Sequence, residues 1–225
     1  MRPKMQTVSR TTDAGVAALA LCFVALLALV ATMAANAAPD SAALLARLAR
    51  TPPASTAFTE VRFSALLAEP LVVSGMLDYE SAGVLNRRVE TPYRETTTIS
   101  GETVRVERPG ETTRTFALRR APELRGLLTG MIGLLTGNGS FIGEHFTITT
   151  AGDDSSWRID LEPRDGRVRQ RLSGIRVTGG GDESRCFAIL DTEGGASVML
   201  LGAAAAETLP QPLVLAELLG RCAAE

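Results

Sequence analysis

The chain has 225 residues, of which 45% are hydrophobic and 21% are charged, with a formal net charge of −2 at pH 7. This composition is that of an ordinary globular protein, and it excludes a disordered or fibrous chain. Every basic residue after Lys4 is an arginine. None of these arginines belongs to a patch with interleaved aromatic residues, so the sequence predicts no nucleic-acid partner.

The N-terminal segment has the organisation of a secretory signal peptide. After a basic start, residues 14–35 carry no charge, and Ala35-Asn36-Ala37 places small residues at a suitable cleavage position. We therefore predict that residues 1–37 are a signal peptide and that residues 38–225 form one periplasmic domain. The alternative is an uncleaved membrane anchor, because an apolar run of about 20 residues can also span a bilayer.

A short helix and two amphipathic strands are predicted at the start of this domain. In residues 40–50, Asp40 or Ser41 can cap a helix whose leucines recur at helical spacing. Residues 58–79 then alternate apolar and polar side chains on both sides of a break at Pro70, as half-buried strands do. The predicted apolar face comprises Val61, Phe63, Ala65, Leu67, Leu71, Val73, Gly75, Leu77 and Tyr79.

Further predicted strands extend this pattern through most of the chain. Turn signals such as Pro109-Gly110 and Gly179-Gly180-Gly181 separate them at short intervals, which is typical of an antiparallel sheet or barrel. These strands are 84–91, 94–100, 102–108, 113–119, 146–150, 156–162, 175–178, 185–191 and 197–201, and a last helix is predicted at 213–219.

The strands are interrupted by an apolar segment, residues 122–137, that is predicted to be a helix. It has a proline at its start, and Gly137-Asn138-Gly139 suits its end. Gly126, Gly130 and Gly133 lie inside it, and each costs about 1 kcal/mol relative to alanine. We interpret the segment as a displaceable helix over the sheet. An ordinary core helix fits the periodicity equally well.

Such a sheet, closed by apolar helices, can enclose an apolar cavity instead of a solid core. The cavity would bind an apolar ligand by burying surface, at about 25 cal/mol per Å², and an acyl chain of many methylenes suits it. The predicted lining consists of Val61, Phe63, Leu71, Val73, Leu77, Tyr79, Leu127, Leu128, Met131, Ile132 and Leu135.

Nothing in the sequence indicates an enzyme, a cofactor or a metal site. His145 is the only histidine, and no G-x-S-x-G elbow is present. The glycine-rich segments lack a lysine and are predicted to be turns, so they do not form phosphate cradles.

Cys186 and Cys222 remain after signal-peptide cleavage. An oxidising compartment allows them to form a disulfide, and the alternative is two separate thiols.

In the order of its motifs, the chain resembles the LolA-like periplasmic lipoprotein carriers. The resemblance covers about residues 40–202, from the first helix to the last strand. It rests on short motifs that recur in the same order along the chain. Their residues are Phe58, Gly75, Leu77, Tyr79, Pro92, Gly101, Val104, Trp157, Leu161 and Pro163.

The resemblance implies an α+β fold in which a curved antiparallel sheet, or incomplete β-barrel, is covered by lid helices. It also implies a monomeric carrier that takes the acyl chains of a lipoprotein or other lipid from an inner-membrane donor to an outer-membrane acceptor. One departure concerns the family's Arg-Pro dipeptide, whose arginine ties the lid shut. This dipeptide falls at Ser81-Ala82 here, and Arg87 and Arg88 are the candidates to replace its arginine.

Two functions are therefore in competition. The first is a soluble periplasmic carrier of lipoprotein or lipid. The second is a membrane-tethered or envelope-assembly module that uses the same sheet to hold a partner protein or a non-lipoprotein acyl product.

Overall fold

The structure, a computed structural model, describes residues 40–118 and 122–223, apart from the side chains of 122–127, 129 and 223. The predicted signal peptide therefore lies outside the described residues. Among the described helices, none is long and apolar enough to cross a membrane.

Eleven strands are present in the described part of the chain. They alternate apolar and polar residues as the sequence predicts, and turns of a few residues connect most of them. The strands are β1 Ala54–Phe63, β2 Leu71–Ser81, β3 Val84–Thr91, β4 Glu95–Ser100, β5 Thr103–Glu107, β6 Arg114–Ala117, β7 Phe146–Gly152, β8 Trp157–Pro163, β9 Leu172–Gly180, β10 Glu183–Asp191 and β11 Ala196–Leu201.

All eleven strands belong to one antiparallel sheet in the order β6-β5-β4-β3-β2-β1-β11-β10-β9-β8-β7. The central position of β1 results from its pairing with β2 on one side and β11 on the other. The end strands β6 and β7 do not pair with each other, so the sheet is curved but unclosed. This arrangement confirms the predicted fold, a curved antiparallel sheet or incomplete β-barrel with covering helices.

The helices are α1 Ser41–Leu48, α2 Pro122–Thr136, α3 Gly139–His145, the single turn α4 Gly166–Arg169 and α5 Leu215–Ala223, with a 3-10 turn at Gly202–Ala206. Helix α3 is not predicted from the sequence, because Asn138 fits the end of the preceding helix. The Asn138 side chain instead accepts a hydrogen bond from the Phe141 backbone N–H at 3.0 Å and caps α3.

The inner face of the sheet, defined as the face that carries Phe58 and Val73, packs against α1, α2 and α3. Three leucines of α1 are buried in this core, together with Leu134 of α2 and Ile142 of α3. Cross-strand pairing fixes the face, because Phe58 lies opposite Gly75 and Glu60 lies opposite Val73. The main hydrophobic core therefore lies between the sheet and these helices.

The outer face, which carries Val61 and Cys186, is covered by the C-terminal segment. Leu218 of α5 is fully buried against Val198 and its neighbours. The sulfurs of Cys186 and Cys222 lie 2.11 Å apart and form a disulfide that joins α5 to β10. Of the two states that the sequence allows for these cysteines, the structure has the disulfide.

The first strand is displaced from its predicted position. It begins at Ala54 and ends at Phe63, whereas the prediction extends to Leu67. Ala65 and Leu67 lie instead in the exposed loop before β2, where Leu66 is 95% exposed. The alternation of apolar residues continues into this loop, and periodicity alone does not show where the strand pairing stops.

Candidate binding cavity

A cavity of about 500 Å³ lies between α2 and the inner face of the sheet, near the start of β1 and the end of β11. This volume is within the range of about 300–1,000 Å³ that is usual for ligand pockets. Its wall is largely apolar, and its apolar lining residues include Leu48, Ala54, Leu77, Tyr79, Leu85, Met131, Leu134, Leu135, Val177, Phe187, Met199 and Leu201.

The pairing of β1 with β2 places two predicted cavity residues side by side. Leu77 lies opposite Thr56, and Tyr79 lies opposite Ala54, so all four side chains share the inner face. Leu77 is half-buried, whereas Tyr79 is only 5% exposed. The period of two along β2 therefore builds one wall of the cavity.

Helix α2 provides the opposite wall. Met131 and Leu135 line the cavity. Leu128 is buried beside them and packs with Tyr79 and Leu85. The backbone N–H of Arg50 donates to the Leu135 carbonyl at 2.8 Å, which ties the segment after α1 to the end of α2. The helix is thus fixed over the sheet by side-chain packing and by this hydrogen bond.

The glycines of α2 lie where the helix approaches its neighbours. A Cβ atom added at Gly130 would lie 3.1 Å from Ile175 Cδ1, and one at Gly133 would lie 2.3 Å from Ile142 Cγ1. The absence of side chains at these positions allows α2 to pack closely on β9 and on α3. In the structure, these glycines therefore serve close packing.

The predicted lining residues occupy several environments. Leu77, Tyr79, Met131 and Leu135 line the cavity. Leu71 and Val73 share the inner face but belong to the core beside Phe58. Ile132 is half-buried and is not among the lining residues. Leu127 lies in α2, and its side chain lies outside the described part of the chain. The other three predicted residues are Leu128, Val61 and Phe63.

The assignment of Val61 and Phe63 to the cavity is wrong. Both lie on the outer face, where they pack with Val198, Leu218 and the disulfide cysteines. The alternation along β1 is as predicted, but both faces of this central strand are covered. The inner face at this end of β1 carries Glu60 and Arg62 in place of apolar residues, because the two side chains neutralise each other there.

A buried polar cluster surrounds Glu60, which is 4% exposed. Its carboxylate accepts hydrogen bonds from Arg62 at 2.7 Å, from Arg87 and from the Ser197 hydroxyl. Burial alone raises the pKa of this carboxyl. The hydrogen bond from Arg62 and the positive charge of Arg87 outweigh burial, so the pKa of Glu60 lies below its usual value.

The two candidates for the lid-tying arginine lie on opposite faces of the sheet. Arg87 lies on the inner face, 4.9 Å above the Phe58 ring, and its charge is compensated by Glu60 and Glu95. Arg88 lies on the outer face and pairs with Asp78 at 2.8 Å. Within the described residues, neither guanidinium has a recorded hydrogen bond to α2. Arg87 thus ties strands β1, β3 and β4 together.

The mouth of the cavity is polar. Arg50, Glu183, Arg185 and Glu207 line it, and the Arg185 guanidinium pairs with Glu207 at 2.9 Å. None of these residues is among the predicted site residues. They lie in three segments that are distant in the sequence, because Glu183 and Arg185 both belong to β10, and only the order of the strands brings the segments together. Within the described residues, no group of His, Cys, Asp or Glu side chains could hold a metal ion.

The fold and the cavity together define a class of protein: an open antiparallel sheet whose covering helices enclose an apolar cavity. Residues 33–217 match the family model described as "Outer membrane lipoprotein carrier protein LolA-like", and the chain belongs to this family. The resemblance inferred from the motif order is thereby confirmed. No curated protein matches the chain.

The solved structures that are similar to the chain include two with 13% sequence identity each. One is a LolA superfamily protein from Nitrosomonas europaea, with a TM-score of 0.41 over 77% of this chain and 96% of that chain. The other is a chain of the MucA/MucB complex of Pseudomonas aeruginosa, with a TM-score of 0.38 over 72% of this chain and 56% of that chain.

Proposed function

We propose that the protein is a non-enzymatic periplasmic carrier that shields the acyl chain of a lipoprotein or another lipid and carries it toward the outer membrane. The observation that carries this proposal is the apolar cavity between α2 and the inner face of the sheet. Each methylene that enters such a cavity contributes about 0.8 kcal/mol by leaving water. An acyl chain can therefore bind there without any specific polar contact.

In this proposal, α2 acts as the lid, and β1–β3 together with β9–β11 form the floor. The cavity wall on α2 is made by Met131 and Leu135, so movement of this helix away from the sheet would open the cavity along its length. The donor and acceptor are an inner-membrane and an outer-membrane protein, as family membership suggests. Export is part of the proposal, and N-terminal sequencing of the exported protein should find Ala38 as its first residue.

Acyl-chain binding can be tested with a pair of neighbouring variants. Met131→Glu places a charge in the cavity wall, whereas Ile132→Glu places it on the same helix outside the lining. With a fluorescent fatty-acyl probe, we expect Met131→Glu to lose binding and Ile132→Glu to bind like the wild type. Leu128→Glu is less informative, because Leu128 is 3% exposed and its replacement damages the core.

The same titration distinguishes the two competing functions. If the wild type binds no probe at micromolar concentration, the inner face serves only as hydrophobic core. The carrier function is then rejected in favour of the module that holds a partner protein. If Met131→Glu binds as tightly as the wild type, the ligand does not enter this cavity. Mass spectrometry of lipid extracted from the purified native protein would then identify the chemical class of the cargo.

A further inference from the structure

The mouth of the cavity has an arginine whose charge is not matched by a carboxylate. The Arg50 guanidinium donates to the Ala49 carbonyl at 3.4 Å and to the Asp182 carbonyl. Within the described residues, no carboxylate forms an ion pair with it. A guanidinium has five N–H donors, so at least three are available to a ligand or to water.

Among the described residues, neither of the two carboxylates that also line the mouth forms an ion pair with Arg50. Glu207 is paired with Arg185, and Glu183 is exposed to solvent, whereas Arg50 is half-buried. The Arg50 backbone N–H is hydrogen-bonded to the Leu135 carbonyl of α2. This hydrogen bond fixes the backbone of Arg50 beside the apolar lining residues Leu48 and Leu135, so the guanidinium lies in the cavity wall and can meet the polar end of a bound amphiphile.

The volume of the cavity limits the number of acyl chains. A methylene group is about the size of a water molecule, whose share of the liquid volume is roughly 30 Å³. A cavity of about 500 Å³ then holds roughly 15 methylene groups. This is the size of one acyl chain of ordinary length, so the cavity matches a single-chain ligand better than a ligand with two or three chains.

From these observations we propose that the cargo is a single-chain amphiphile with an anionic end group, a carboxylate or a phosphate, and that Arg50 recognises this group. The inference rests on the proposed carrier function and narrows it to one class of cargo. The planar guanidinium can donate two parallel hydrogen bonds to either oxyanion. A chain that ends in a neutral ester lacks this interaction and should bind more weakly.

The test compares three ligands that share one palmitoyl chain: palmitate, palmitoyl lysophosphatidic acid and methyl palmitate. Residues 38–225 are titrated with each ligand by displacement of a neutral hydrophobic dye, at a pH where the carboxyl is ionised. A charge-assisted hydrogen bond corresponds to about a 10- to 100-fold tighter binding of the anionic ligands. Comparison of palmitate with the lysophospholipid shows which of the two anionic groups the site prefers.

Variants then assign the preference to Arg50. Arg50→Gln should bind both anionic ligands as weakly as methyl palmitate, and its affinity for methyl palmitate should be that of the wild type. Arg50→Lys should retain part of the preference. The matched control is Arg47→Gln, because Arg47 pairs with Asp154 and is outside the cavity lining; it should behave like the wild type.

The outcomes separate this inference from the carrier function. If the wild type binds methyl palmitate as tightly as palmitate, or if Arg50→Gln keeps the preference, the assignment of an anionic cargo is wrong while the carrier function stands. If none of the three ligands displaces the dye, the carrier function itself fails. Unchanged binding of methyl palmitate by Arg50→Gln also shows that the cavity of this variant is intact.

Discussion

Replacement of Glu60 by glutamine tests the buried polar cluster on the inner face. The substitution keeps the shape of the side chain and removes its charge, so Arg87, whose side chain is 15% exposed, loses its closest anionic partner. Removal of one partner from a buried ion pair costs about 3–5 kcal/mol. Arg62 is 39% exposed and can turn to solvent. Arg87 also keeps Glu95 at 3.8 Å. We therefore expect a loss near the lower limit, about 3 kcal/mol in the free energy of unfolding.

Urea titration of the wild type and the variant measures this loss. Asp78→Asn is the control, because Asp78 pairs with the half-exposed Arg88 on the outer face at 2.8 Å, close to the 2.7 Å between Glu60 and Arg62. An exposed pair of this kind contributes about 0–1 kcal/mol. If Glu60→Gln destabilises the protein no more than Asp78→Asn does, the carboxylate of Glu60 is not coupled to its arginines as the structure indicates.

The same variant has a predictable pH dependence. The pKa of Glu60 is lower in the folded state than in the unfolded state. The contribution of ionised Glu60 to the free energy of unfolding is therefore fully present above the unfolded pKa of about 4.3, and it is lost as the pH falls through the folded pKa. The wild type should therefore lose more stability on acidification than Glu60→Gln does. The lowered pKa values of Asp78, Asp153 and Asp165 affect both proteins equally. If the difference in free energy of unfolding between the wild type and Glu60→Gln does not change with pH, the pH dependence does not come from Glu60.

Two further predictions concern the covalent and steric framework. The double variant Cys186→Ser, Cys222→Ser removes a crosslink between residues 36 positions apart. Chain entropy predicts that its free energy of unfolding, measured with urea, is lower by about 4 kcal/mol. The reduced wild type should be destabilised by the same amount, and an unchanged stability of the double variant would refute the prediction. Gly75→Ala places a Cβ atom 1.8 Å from the Arg88 carbonyl oxygen. The substitution should therefore lower the free energy of unfolding by about 3 kcal/mol or more. A variant as stable as the wild type would show that β2 and β3 do not pair in this register.

Much of the fold could be predicted from the sequence because its signals are local. The leucines of α1 recur at helical spacing, and Leu44, Leu45 and Leu48 are all buried. The alternation along β2 also places Leu77 and Tyr79 on the cavity side. In each case, one side of the helix or strand is apolar, so the periodicity alone identifies the side that is buried.

The remainder depends on contacts between distant segments. Periodicity divides β1 into two faces but does not identify the inner one, because the strand lies at the centre of the sheet and both faces are covered. The more apolar face, with Val61 and Phe63, is covered by the C-terminal segment. Glu60 is tolerated on the inner face because Arg62 of the same strand pairs with it and because Arg87 and Ser197 reach it from other strands. Similarly, nothing near Arg50 in the sequence indicates that it lies at the mouth of a cavity.

The role of the glycines in α2 can be decided by two alanine substitutions. If the glycines serve to make the helix displaceable, Gly133→Ala should stabilise the protein by about 1 kcal/mol, because alanine is the better helix former. The structure predicts the opposite, since the new Cβ atom would lie 2.3 Å from Cγ1 of the fully buried Ile142. Overpacking of this kind costs about 1–3 kcal/mol and should exceed the gain in helix propensity.

Gly143 of α3 provides the matched control, because a Cβ atom at this position would have no neighbour within 4 Å. Gly143→Ala should therefore stabilise the protein by up to about 1 kcal/mol. Opposite signs for the two variants in urea unfolding would support close packing of α2 on α3. Stabilisation by both would refute it, because α2 would then have room to accept a methyl group without moving. If α2 acts as the proposed lid, such close contacts require it to separate from α3 and from the sheet as one unit, so its opening would be a two-state event and not a gradual loosening of the helix.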